Sequence, residues 1–246
     1  MPFDIQYVRS QFPSRELLYL DTVDTTMRIA AQTGATVIAE EQTAGQGRHG
    51  HTWHSEKGLG LYVSIVLDKT ATTPTLTMAL GLAVAEAITS ATGLACDLRW
   101  PNDVMIGGRK AAGILAQLAD SAAIAGIGIN VNHQRFPNEL TEEATSLRLE
   151  SGRDQSREQI LIALLPAVDR YAAILADRGP DPILELFSRR SSYASGKRVV
   201  VRQGDSILRG TTAGLNAAGF LVVRKDDGSD EIVLAGGVRA SGAGRG

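Results

Sequence analysis

The sequence predicts an α+β protein, with a mixed sheet flanked by helices over residues 1–194 and a small β-barrel-like domain over residues 195–246. Three observations predict it. Short apolar runs bounded by glycine and turn residues recur through the first half, which is the pattern of buried strands. Two longer stretches, Leu76 to Thr92 and Ser156 to Leu175, carry apolar residues at helical spacing instead. Beyond Gly179 the chain turns to four strand-like runs joined by Gly, Asn and Asp turns.

Met1 to Glu16 contains Asp4, Arg9 and Arg15 and lacks the long apolar stretch of a signal peptide. Thr25 to Thr33 mixes Met27, Ile29, Ala30 and Ala31 with polar residues, as does a short helix capped by Asp24 or Thr25, so its polar first turn can face a ligand. Ala35 to Ala39 and Leu61 to Leu67 read as buried strands on either side of a glycine-rich loop, Gly45 to Gly60. Thr73-Pro74 is a helix start, because proline is tolerated in a first turn. Asp97 to Trp100, Ala112 to Leu118 and Ala123 to Asn130 read as three neighbouring antiparallel strands, separated by Gly107-Gly108 and Asp120-Ser121. Ser156 and Gln159 have capping-box spacing, and Pro166 is expected to kink or divide the helix that follows. The last strands are expected at Arg198 to Arg202, Leu208 to Leu215, Phe220 to Lys225 and Glu231 to Leu234.

Composition narrows function only by exclusion. A net charge of −2 gives no overall attraction to nucleic acid. The lone Cys96 cannot form an internal disulfide, and no Cys/His cluster has zinc-site spacing, so a buried thiol in a reducing cytoplasm is expected. No apolar run reaches about 18 residues without interruption, so no membrane partner is expected.

Chemistry concentrates in two places. Gly45-Gln46-Gly47-Arg48-His49-Gly50 fits G-x-G-x-x-G, but it leads into a strand, whereas a dinucleotide fold needs a helix there. Its glycines let backbone N–H groups approach an anion, and Arg48 adds a cationic fork suited to phosphate or carboxylate; the bland alternative is a solvated loop. Arg99-Trp100-Pro101-Asn102-Asp103 is followed at once by Gly107-Gly108-Arg109-Lys110-Ala111-Ala112-Gly113-Ile114. Lys110 stands at a turn-to-strand edge with small residues after it, where its ammonium can point into a cleft, although an ordinary lysine is a solvated surface charge.

Taken in order, Asp24-Thr25-Thr26, Glu41 to Gly50, Arg99 to Asp103, Arg109 to Leu115 and Gly126-Ile127-Gly128-Ile129-Asn130 resemble the biotin protein ligases, from about Tyr19 to Asn132 and more weakly over the carboxy-terminal strands. The resemblance implies a class II synthetase-like catalytic domain with an SH3-like barrel. It also implies an enzyme that uses ATP and magnesium to convert biotin to biotinyl-AMP, then biotinylates a lysine of a biotin carboxyl carrier protein. Carried over position by position, Lys110 and Arg48 are the catalytic residues. Thr25, Thr26, Met27, Gln42, Gln46, Gly47, Gly113 and Leu115, with Arg48 and Lys110, surround biotin. Gly45, Gly47, Arg48, Gly50, Trp53, Asn102 and Asn130 surround the adenylate, and Asp103 faces the metal. For several positions a structural reading stands beside the implied one: Thr25 as a helix cap, Trp53 as core, and Asn102, Asp103 and Asn130 as turn-holding residues.

The chain departs from the family's usual residues at Met27, Gln46, His49 and His51, where an asparagine and basic residues are common, so its hold on the adenylate is expected to be weaker. Some members also repress transcription through an amino-terminal DNA-binding domain; only a short segment precedes Asp24, and sequence-specific DNA binding is not expected. A lipoate or octanoate transferase and a non-catalytic biotin-binding module are the competing readings. The expected state is a cytoplasmic monomer or homodimer.

Overall fold

The structure, a computed structural model, describes residues 2–68, 73–119, 122–204 and 206–241, without the side chain of His49. The turn expected at Asp120-Ser121 lies outside those residues, as do Met1 and residues 242–246. Along the chain run α1 (Ile5–Gln11), β1 (Leu17–Val23), α2 (Thr26–Thr33), β2 (Thr36–Gln42), β3 (Gly60–Asp68), α3 (Thr73–Thr92), β4 (Asp97–Arg99), β5 (Asp103–Ile106), β6 (Arg109–Leu118) and β7 (Ala122–Asn130). Then come α4 (Leu147–Ser151), α5 (Arg157–Arg178), α6 (Asp181–Arg190), β8 (Ser195–Gln203), β9 (Ser206–Leu215), β10 (Leu221–Arg224), β11 (Asp230–Val233) and β12 (Gly237–Ala240).

The first seven strands form one mixed sheet in the order β1-β2-β3-β7-β6-β5-β4, in which β1 and β2 are parallel and the other pairs antiparallel. Where three antiparallel neighbours were expected there are four: Asp103–Ile106 is too short to show a period of its own and becomes a strand only by pairing with β4 and β6. The last five strands make an antiparallel sheet in the order β11-β10-β9-β8-β12, the small carboxy-terminal barrel.

Alternation along β2 assigns the two faces of the large sheet. Ile38 packs into the main core with α3, and its neighbour Val37 packs with Met27, Ala30 and Ile124 beneath α2. Helix α3 is buried nearly all round, between the sheet, α5 and α6. By length and composition both α3 and α5 would suffice to cross a membrane, which the search for uninterrupted apolar runs did not register; here they pack on each other.

Of the kink or division expected at Pro166, the division does not occur: helix α5 continues through the proline, which lies on the exposed face while Leu164, Leu165, Ala167 and Val168 stay packed. Only half of its capping box forms: Ser156 Oγ accepts from Gln159 N, but the Gln159 amide donates to Tyr7. Cys96, expected to be buried, is half-buried, and burial pushes its thiol up to about 11.

The first residue of α5, Arg157, pins that helix to the sheet. Its guanidinium meets Glu40 of β2 at 2.7 and 3.1 Å, both side chains being less than a tenth exposed, and Phe3 covers it with its ring 5.3 Å away. Tyr19 donates to the same carboxylate, and burial together with Glu40 pushes its phenol up. Arg157→Ala strands a buried carboxylate, and we expect it to cost about 3–5 kcal/mol in a urea melt. Pairing Arg157→Met with Glu40→Leu is expected to recover most of that; equal losses from the single and double variants would show that packing, not charge, sets the effect.

Candidate active site

The glycine-rich loop between β2 and β3 closes on itself as a narrow hairpin. Gly47 N–H donates to His51 C=O at 2.7 Å, Trp53 N–H to Gly45 C=O at 2.8 Å, and Gln46 bridges Thr52. Arg48–Gly50 forms a single 3-10 turn at the tip. Gly45 is required by the close approach of the two limbs, since a Cβ there would lie 2.6 Å from the Trp53 carbonyl oxygen.

This hairpin lays the Trp53 indole on a flat platform. Gly113 of β6 and Gly128 of β7 are partners in register, and a Cβ on either would lie 2.7 or 2.4 Å from the ring. Gly126, two residues earlier on the same face, makes the same room for the Met27 thioether. Gly128 and Gly126 were not among the expected site residues; glycines two apart within a strand were the signal for them. Gly128→Ala is expected to lift the indole and lower adenylation by on the order of tenfold, with an altered near-UV circular dichroism spectrum. An unchanged spectrum and rate would mean that the ring is not seated there.

Beside the indole lies a small pocket with about 370 Å³ of empty space. The first turn of α2 supplies Thr25, Thr26 and Met27, β2 ends in Gln42, the hairpin gives Gln46, and β6 gives Gly113 and Leu115. Its polar wall is a chain of hydrogen bonds. Gln42 Oε1 accepts from Thr26 N–H at 2.9 Å and Thr26 Oγ1 at 3.1 Å, Thr26 Oγ1 meets Ser64 Oγ at 2.7 Å, and Gln42 Nε2 donates to Ser55 Oγ at 3.0 Å. Ser55 and Ser64 escaped the sequence reading, although a lone serine in the apolar run of β3 marks a buried polar group that must be satisfied. Thr25 caps α2, its Oγ1 accepting from Met27 N–H, and also lines the pocket.

On the other side of Trp53 opens a wider cleft of about 1350 Å³ of empty space, lined by Arg48, Asn102, Asp103, Lys110 and Asn130. The barrel closes one end of it with Gly236, Gly237 and Arg239, which the sequence reading did not include. Trp100 explains why the barrel reaches this far: fully buried, it donates from Nε1 to the Gly219 carbonyl at the β9–β10 turn.

Lys110 lines the wider cleft beside Trp53, the residue that borders both cavities. Its Nζ lies 2.6 Å from Asp103 Oδ1 and 5.2 Å from the Trp53 ring centroid. Arg99 holds the other Asp103 oxygen at 2.7 Å. Burial by itself would push the Asp103 carboxyl up, but the charges of Lys110 and Arg99 hold it below its ordinary value. Asp103 Oδ1, on the residue expected at a metal, is buried and faces the Lys110 ammonium without a hydrogen bond, and among the described residues no three His, Cys, Asp or Glu side chains gather to hold an ion.

Arg48 is drawn down from its ordinary pKa by burial, with Asp103 opposing, and donates to Asn102 Oδ1 at 3.3 Å. Asn102 in turn donates to the Ile114 carbonyl, and Asn130 to the Thr145 carbonyl, so both brace the backbone around the cleft they line. Gly45, Gly47 and Gly50 face an open groove on the outer side of the hairpin.

Residues 19–133 match the biotin/lipoate A/B protein ligase family and residues 194–238 the biotin protein ligase C-terminal domain. The chain is 32% identical to the bifunctional ligase/repressor BirA of Bacillus spizizenii, over 93% of this chain and 75% of that protein. It is also 32% identical to a biotin–[acetyl-CoA-carboxylase] ligase of Mycobacterium tuberculosis, over 83% of this chain and 77% of that protein. Among solved structures, the biotin protein ligase of Aquifex aeolicus in complex with biotin and ATP superposes with a TM-score of 0.83 at 29% identity, over 92% of this chain and 99% of that one. On sequence, fold and both of its domains, this chain belongs to the biotin protein ligase family.

Proposed function

We propose that the small pocket takes biotin and the wider cleft takes ATP, and that the two meet at Lys110. A biotin carboxylate oxygen attacks the α-phosphorus, the bond to the β-phosphate bridge breaks, and pyrophosphate leaves biotinyl-AMP behind. The amine of a lysine on a biotin carboxyl carrier protein then attacks the acyl carbon, AMP departs, and an amide remains. Both steps crowd negative charge into one place, so a fixed ammonium there lowers the barrier by favouring the charged transition state.

The observation that carries this reading is the position of the Lys110 ammonium, held by Asp103 at 2.6 Å in the wider cleft and 5.2 Å from the Trp53 ring, which borders both that cleft and the small pocket. The Trp53 indole borders both spaces and Arg48 borders the wider cleft, where they can cover the intermediate and keep water from it. The chain of hydrogen bonds through Thr26, Gln42, Ser55 and Ser64 offers the mixed donors and acceptors that a ureido ring needs and a fatty-acyl chain does not.

Incubation with ATP, magnesium, biotin and a biotin carboxyl carrier domain, read by streptavidin blot, tests the assignment. Labelling of one carrier lysine is expected, and a larger thermal shift with biotin than with lipoate. An unlabelled carrier despite a biotin shift would favour a binding module; a lipoate shift that exceeds the biotin shift would favour acyl transfer.

A further inference from the structure

We infer that Glu150 positions Lys110 for adenylation, an inference that rests on the role given to Lys110 above. Strand β7 pairs with β6 only from Ala112 onward, so at Lys110 the sheet has lost its neighbour on that side. Residues 143–145 stand in for it. Lys110 N–H donates to Glu143 C=O at 2.7 Å, Thr145 N–H donates to Lys110 C=O at 2.9 Å, and Ala144 forms a parallel bridge with Lys110. This stretch belongs to no helix or strand, so something else must fix it before it can fix the lysine.

That task falls to the Glu150 carboxylate, on α4. Its Oε1 accepts from Thr145 Oγ1 at 2.5 Å and from Arg109 Nη2 at 2.7 Å, which ties the clasping segment and the residue before Lys110 to one atom. Its Oε2 faces Gly107 in the β5–β6 turn, where a Cβ would come within 3.2 Å and where φ is +58°. Helix α4 is itself anchored: Leu147 is fully buried, and Ser146 caps the helix while donating to the His133 carbonyl at 2.6 Å. Glu150 is only 16% exposed, so its hydrogen bonds compete little with water. Without the carboxylate, the backbone on both sides of Lys110 is released, and an error of about 1 Å at a reacting centre is enough to cost on the order of 10²-fold in rate.

The small pocket is lined by the start of α2, the end of β2, the glycine hairpin and, on β6 and β7, by residues from Gly113 to Leu115 and Gly126 to Gly128, beyond the start of β6 that the 143–145 segment clasps, so Glu150 should act on turnover and not on biotin binding. In biotin-dependent pyrophosphate release, Glu150→Ala is expected to lower kcat by about 10- to 100-fold with the KM for biotin within about twofold of wild type. Glu150→Gln retains an oxygen for both donors and is expected to recover most of the rate. In a Lys110→Ala background, Glu150→Ala should change the residual rate by less than about twofold, because the lysine it positions is gone. Should Glu150→Ala fail to fold, Thr145→Val removes one of the same hydrogen bonds from the other side and should show the same split between kcat and KM. An unchanged kcat in a folded variant overturns the inference, as does a full multiplicative loss in the Lys110→Ala background. Wild-type protein that releases no pyrophosphate with biotin would overturn the ligase reading as well, so the two failures are told apart by the wild-type control.

Discussion

Lys110→Ala is expected to remain folded and to lose biotin-dependent pyrophosphate release by on the order of 10²- to 10³-fold, the usual loss for removing one preorganised charge from a reacting centre. The fold survives because the side chain is over a quarter exposed and its backbone bonds to Glu143 and Thr145 do not need the ammonium. The lost partner matters more to chemistry. Asp103 keeps Arg99 at 2.7 Å, but that guanidinium is spent on the carboxylate and does not replace the charge beside Trp53. Lys110→Arg is not expected to rescue, since a planar fork in place of a compact ammonium displaces either Asp103 or the Trp53 ring. Pyrophosphate release alongside a thermal melt checks this, and a folded alanine variant with a near-normal rate would make Lys110 a bystander.

Arg48→Ala is expected to let biotinyl-AMP escape and to label nearby lysines indiscriminately, while the initial burst of pyrophosphate persists to a larger extent than in Lys110→Ala. Arg48 joins the 3-10 tip of the hairpin to Asn102, and through Asn102 to the Ile114 carbonyl, so its loss unfastens the hairpin from the sheet that carries the pocket. Gln46 is exposed on the same hairpin and lines the small pocket. Gln46→Arg should therefore lengthen retention by adding a charge next to the anhydride. Filter binding of radiolabelled adenylate follows all three proteins. Equal leakage from wild type, Arg48→Ala and Gln46→Arg would show that the hairpin does not gate the intermediate.

What the linear order of residues determined was the set of parts. Periodicity marked α2, α3 and α5 and most strands of both sheets, because each buries one face or all faces and so must repeat apolar residues at the matching interval. The glycine hairpin and the Lys110 strand edge carried enough residue-type chemistry to single out Arg48 and Lys110 before any geometry was known, whereas Thr26 and Gln42 came only from the family resemblance. Short elements escaped. Strand β5, helices α1, α4 and α6, and strand β12 span too few residues, or begin at a proline, for a period to show, and they exist because neighbours supply their hydrogen bonds and cover.

Only the tertiary structure decided which groups face one another. It placed Gly113 opposite Gly128 beneath Trp53, brought Ser64 from β3 against Thr26 from α2, and set Arg239 of the barrel at the mouth of the cleft. It also placed Asp103 between Lys110 and Arg99, and Glu150, about forty positions beyond Lys110, on Arg109 and Thr145 at either side of that lysine's backbone. The physical reason is the same in each case. Residue type and spacing fix what a side chain can donate, accept or bury, but pairing across strands and domains is a long-range choice made by the whole core, and no local window contains it.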